Sequence, residues 1–373
     1  VDVIEWLLAG DPAIRWQVLA DLLDAPEDEV AAERARVEHE GWGATLLARQ
    51  DANGLWAGGA CFPADYRGDE EGQPWTATMH TLQTLQLLGL PAHSAAARRT
   101  VALVAEHGRW EHAGQRYFDG EVEPCINGRT IETAAYFGVD ATALVDRVLG
   151  ERLEDGGWNC EAEFGSVRSS FDTTINVLEG LLQFDLATGG SERTRAARRA
   201  GEEYLLVRHL FRRRSTGEVV DEGYLQWSFP FYWHHHALRA LEYFRRADGP
   251  RDPRLAGGGR GGALLPAPGW PMGAPADPSG SGPSRPGGAR GHPQSVDHAV
   301  GAARAALVGR RPASAQSSGQ LNANVPGVGS LAPPVRIVTS SRNTASPCTL
   351  RPASSMSKLV MSSAAASVPA GRL

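Results

Sequence analysis

Apolar residues in roughly the first 250 positions recur three or four apart, the spacing that places them on one face of an α-helix. Ile4–Leu8 is a short run of this kind. Asp11–Leu23 opens with Asp11 as a helix N-cap and Pro12 at the first helical position. Residues 26–50 are charged and amphipathic, with Trp42, Leu46 and Leu47 apolar. Thr76–Leu88 reads as a helix closed by Gly89 and Pro91. Ser94–Glu106, residues 127–137 (ended by Gly138) and Asp140–Leu153 follow. Thr173–Phe184 is the most apolar helix, and Ser191–Leu210 is a long arginine-rich one with Ser191 as N-cap. His234–Arg246 is the last periodic run, and Gly217–Val220 is the one short extended signal. The pattern predicts an all-α protein.

A turn punctuates these helices. It reads Ala52–Trp56, Gly108–Trp110 and Glu154–Trp158, with a looser copy ending at Trp227. Each copy precedes an apolar helix, so a unit of roughly 50 residues repeats, which indicates an array of helix pairs. Glycine allows the positive φ of a tight inter-helix turn. The tryptophan ring then packs between neighbouring pairs and offers its indole N–H to a carbonyl.

The composition breaks near residue 255. Glu is absent after Glu242, and beyond Arg254 the acidic residues are Asp277 and Asp297 alone. Gly, Pro, Ser, Ala and Arg dominate, a composition that predicts a disordered low-complexity tail. A sharper reading is a shift of frame. Back-translated with G/C-rich codons and moved by one base, Pro266–Met272 becomes Arg-His-Arg-Asp-Gly-Arg-Trp, the turn again. The domains expected are therefore an N-terminal helical segment (1–50), the helix-pair array (51–254) and the tail (255–373).

A net charge of −6 argues against a nucleic-acid footprint. Four irregularly spaced cysteines (Cys61, Cys125, Cys160, Cys348) suggest a reducing compartment rather than a disulfide scaffold, and the expected location is the cytoplasm. There is no apolar run long enough to span a bilayer. Peripheral membrane contact remains compatible with this composition.

The Asp155-Gly156-Gly157-Trp158 turn, followed by Ser170-Phe171-Asp172-Thr173-Thr174 and an apolar helix, resembles the α/α toroid of squalene–hopene cyclases and protein prenyltransferase β subunits. The similarity covers about residues 50–245 and extends to short actinobacterial squalene cyclase-like proteins. It implies an incomplete α/α toroid of about four helix pairs, preceded by a short helical segment. It also implies an apolar or isoprenoid small molecule in a central cavity; the alternative is a non-catalytic toroid that binds an apolar ligand or a partner protein.

Two templates follow from that resemblance. A cyclase needs an acid at the start of an inner helix to protonate an alkene, and Asp172 stands there, without the cyclases' Asp-x-Asp-Asp cluster. Aromatic walls then stabilise a cation; Trp110, Tyr117, Phe118, Trp158 and Phe171 are the candidates. A prenyltransferase uses zinc held by Asp-x-Cys and a later His. Here Glu123-Pro124-Cys125 resembles the first pair, Asp172 replaces the expected His, and His234 or His235 supplies a nitrogen from the next helix start. Glu123 would share the catalytic work with Asp172, and Cys160 lies near the same rim. The histidine run 234–236, if helical, points its rings about 100° apart, so at most two reach one ion. His80 reads as a core histidine with a hydrogen-bond partner. Acidic and aromatic residues interleave over 110–128 and again over 155–172, as two rims of one cavity would.

Overall fold

The computed structural model describes residues 2–67, 74–226, 228–250 and 252–256. Trp227 itself and the tail from residue 257, with its shifted-frame segment and Cys348, lie outside the described residues. The all-α expectation holds. The helices are α1 (Val3–Leu8), α2 (Pro12–Asp21), α3 (Glu27–Ala35), α4 (Gly41–Leu47), α5 (Thr78–Leu88), α6 (Ala95–His107), α7 (Pro124–Tyr136), α8 (Thr142–Gly150), α9 (Phe171–Thr188), α10 (Glu192–Leu206) and α11 (Ala237–Arg246). No strand occurs among the described residues, only isolated bridges within turns.

The caps read from the sequence form as expected. Asp11, Ser94 and Ser191 each accept a first-turn backbone N–H at the head of α2, α6 and α10. Gly89 ends α5 in the left-handed conformation. Two starts differ. α7 begins at Pro124, where proline fits the first helical turn. α11 begins at Ala237, with His236 as N-cap accepting the Arg239 N–H. The histidine run therefore precedes the helix rather than lying on it, with the last imidazole, His236 Nδ1, accepting an orphan first-turn N–H.

α5, α7 and α9 are central and α6, α8 and α10 peripheral. Every residue of α7 is buried, as is α9 from Phe171 to Gln183, whereas the peripheral helices bury a single face. α7 and α9 lie flush because glycines face each other. A Cβ on Gly128 would stand 2.5 Å from the Asn176 carbonyl oxygen, and one on Gly180 would stand 2.4 Å from that of Gly128.

The turns alternate between two designs, which the single repeat read from the sequence did not separate. In the first, the indole N–H of Trp56 binds the carbonyl of Leu46 at the end of α4 (2.8 Å), and its backbone N–H binds Thr78 Oγ1 in α5 (3.1 Å). Trp158 repeats this with Val148 of α8 (2.7 Å) and Thr174 of α9 (3.1 Å). In the second design, Arg109 pairs with Arg116 and Arg212 with Val219 in miniature hairpins. There the Trp110 indole binds the carbonyl of Tyr117 in its own hairpin. The short extended signal at 217–220 is the second arm of the later hairpin.

The N-terminal helices share the array's core: Leu7, Trp16 and Val37 belong to one buried cluster with Trp56, Leu82, Trp110 and Cys160. Arg34 reaches from α3 to the Gly89 carbonyl (2.9 Å) and the Tyr136 hydroxyl (2.7 Å).

Candidate functional site

Glu123 caps α7 and Cys125 stands in its first turn, so both project where the central helix begins. Cys160 opens the short 3-10 segment 160–164 after the Trp158 turn. These two stretches meet. The ligand atoms of Glu123, Cys125 and Cys160 all lie within 4.8 Å of one another. Cys160 Sγ is 2.8 Å from Cys125 Sγ, whose thiol donates to Glu123 Oε2 at 3.3 Å. The Thr173 hydroxyl, at the head of α9, donates to Cys160 Sγ at 3.4 Å. Both cysteines are buried and Glu123 is half-buried. The backbone N–H of Glu123 is held by Glu121 Oε2 (2.8 Å). Burial raises the pKa of Glu121, and His112 and Glu163 act on it from the surface. The two acidic rims thus converge.

Asp172 and His234 do not belong to this group. Asp172 is buried at the head of α9; its Oδ2 accepts the Tyr224 hydroxyl (2.8 Å) and its Oδ1 the His235 backbone N–H (2.7 Å). It ties α9 to the lead-in of α11. His234 packs against the rings of Trp75 and Trp233. His235 is buried with Nε2 2.7 Å from the Leu210 carbonyl oxygen, and burial depresses its pKa to about 3. His80 is the core histidine expected: its Nε2 lies 3.2 Å from the Cys61 carbonyl oxygen, and burial brings its pKa to about 3.

The aromatic candidates are core residues. Trp110, Tyr117 and Trp158 are fully buried, with Tyr117 stacked on Trp110 and Phe118 edge-on to Tyr117. Burial raises the Tyr117 phenol well above its ordinary value. Phe171 sits among Tyr204, Tyr224 and His235.

The interior holds a charged network that no sequence motif marks. Between α7, α9 and α11, Arg129 and Arg239 share the carboxylate of Glu179, and Arg129 also meets Glu132 (2.8 Å). Arg246 lies 3.7 Å from Glu132 and hydrogen-bonds Gln183. Burial alone would raise the pKa of Glu179, but Arg239 and Arg129 hold it below the ordinary carboxylate range. Phe231 fits between the two guanidinium groups, 5.9 Å from Arg129 and 4.1 Å from Arg239. The available signal is charged residues on the inner stretches of α7 and α9, Arg129, Glu132 and Glu179, each of which needs a partner when buried.

Comparison of the chain with family models, with curated proteins and with solved structures gave no match in any of the three.

Proposed function

We propose that this chain is a prenyltransferase-like member of the α/α-toroid class that holds zinc with Cys125, Cys160 and Glu123 and acts on an isoprenoid. The carrying observation is the convergence of two thiols and a carboxylate from successive turns. Two sulfurs and one oxygen suit a borderline-soft divalent ion, and three protein ligands leave a fourth position open, as in catalytic zinc sites. Bound zinc would supply Lewis acidity, keeping an acceptor thiol deprotonated for alkylation. The chain's own contribution is positional. Glu121 fixes the Glu123 backbone, Thr173 orients Cys160, and the rim carboxylates Glu161 and Glu163 stand exposed beside the site. Asp172 serves this reading by holding the α11 lead-in, so the prenyltransferase template is better supported than the cyclase one.

A second reading, a non-catalytic array that binds an apolar ligand or a partner protein, draws on the interior. There Phe231 and the Arg129–Glu179–Arg239 network occupy the space between central helices. Metal analysis of the purified chain separates the two. One zinc per chain, lost in Cys125→Ser and Cys160→Ser but kept in Cys61→Ser, together with transfer from a prenyl diphosphate to a small thiol, supports the enzyme. Absence of stoichiometric metal overturns it.

A further inference from the structure

Thr173 Oγ1, Cys160 Sγ, Cys125 Sγ and Glu123 Oε2 form a chain of hydrogen bonds of 3.4, 2.8 and 3.3 Å. Each thiol donates toward the carboxylate, so the terminal acceptor for a proton leaving Cys125 is Glu123. The cysteines lie 35 residues apart and come from two separate elements, the head of α7 and the segment before α9. Neither is part of a disulfide. Their sulfurs are 2.8 Å apart, against ~2.05 Å for a bonded pair, so little movement is needed to join them. Cys61, the other described cysteine, is buried in the same core cluster but is not one of these three clustered ligands.

We infer that Cys125 and Cys160 are an oxidisable dithiol that a small hydroperoxide converts to a disulfide, and that disulfide and bound metal are mutually exclusive states of this site. The first half stands on the geometry alone; the second rests on the zinc reading above.

The chemistry balances with hydrogen peroxide, the simplest such oxidant. Cys125 gives its proton to Glu123, and the thiolate attacks one peroxide oxygen. The O–O bond breaks and the second oxygen leaves as water with that proton, so Cys125 becomes a sulfenic acid. The Cys160 sulfur then attacks the Cys125 sulfur, the S–O bond breaks, and the hydroxyl leaves as water with the Cys160 proton. Two thiols and one peroxide yield one disulfide and two waters. A metal needs both sulfurs as thiolates, and the disulfide removes both. The burial of the two thiols favours a small uncharged oxidant over a bulky disulfide such as oxidised glutathione.

The full chain, reduced and metal-free, is titrated with hydrogen peroxide, alkylated and mapped by mass spectrometry. The expected result is loss of two of its four thiols, a cross-linked peptide joining Cys125 to Cys160, and reversal by dithiothreitol. Cross-links to Cys61 or Cys348, separate sulfinic acids at the two positions, or two thiols that stay alkylatable would overturn the inference. A second arm loads the protein with zinc and follows release to a chromophoric chelator. Release in step with the disulfide is expected, and a disulfide formed with zinc retained refutes the exclusivity. If the chain takes up no zinc, the proposed function falls while the first arm still decides the dithiol.

Discussion

The first half of the array (α4–α7) and the second (α8–α11) use the same two turns in the same order, yet their centres differ. Five positions beyond the threonine that binds each turn tryptophan stands Gln83 in α5 and Glu179 in α9. Gln83 donates to the Tyr232 carbonyl (3.2 Å), a neutral contact. Glu179 meets two arginines from flanking helices. α9 lies between α7 and α11, each of which brings an arginine. A buried charge is tolerated where a second charge is delivered opposite it, and the same backbone position without that delivery carries an amide.

The largest expected effect comes from making the halves alike. Glu179→Gln strands Arg129 and Arg239 without their shared anion and should cost about 3–5 kcal/mol in denaturant unfolding. The reciprocal Gln83→Glu sets a carboxylate against the Tyr232 carbonyl and should cost about 1–3 kcal/mol. Equal losses would show that the asymmetry has no energetic content.

Next come the turns. Trp158→Phe and Trp56→Phe each remove the indole donor from a late carbonyl of the preceding helix, α8 or α4, a loss of about 1–3 kcal/mol. Both variants should also lower the denaturant m-value, because the bond links neighbouring helix pairs. Trp110→Phe breaks a bond inside one hairpin and should leave m unchanged. A lowered m for Trp110→Phe would erase the distinction between the two turn designs.

The two halves also differ in pH response. His80 in the first half, and His235 and His236 in the second, have pKa values depressed by burial, to about 3 for the first two. Below the ordinary histidine pKa the unfolded chain takes up protons that the folded chain refuses. Their contribution is therefore complete above about pH 6.5 and is lost progressively as pH falls below it. Chemical denaturation between pH 7 and 4 should show the second half responsible for more of the slope. Substituting His235 by Asn should flatten it as much as substituting His80.

Helix positions were legible because their signals are local. Asp11, Ser94 and Ser191 cap by bonding a neighbour two or three residues on, and Gly89 stops α5 by its own φ. Glu123-Pro124-Cys125 was read as a ligand motif, although its proline was equally a helix start. The site was legible in part. Glu123 and Cys125 are two residues apart in sequence, whereas the approach of Cys160 depends on how α7 and α9 pack. That packing rests on Gly128 and Gly180, whose role appears only when the two backbones are face to face. Asp172 and His234 were linked to the metal by analogy of position, and in the fold their partners are Tyr224 and Trp75. The Arg129–Glu179–Arg239 network joins residues 50 and 60 positions apart, beyond the reach of any periodicity.

Trp16 donates its indole N–H to the Leu88 carbonyl, 72 residues later, and its ring fills the place a side chain on Gly89 would take. On a translating ribosome this order has a temporal meaning. At ~5–20 residues per second, the partner of Trp16 is made about 4–14 s after the tryptophan itself. During that interval the first three helices carry an uncovered aromatic ring, the period in which a nascent chain is most open to chaperone capture or to association with another copy.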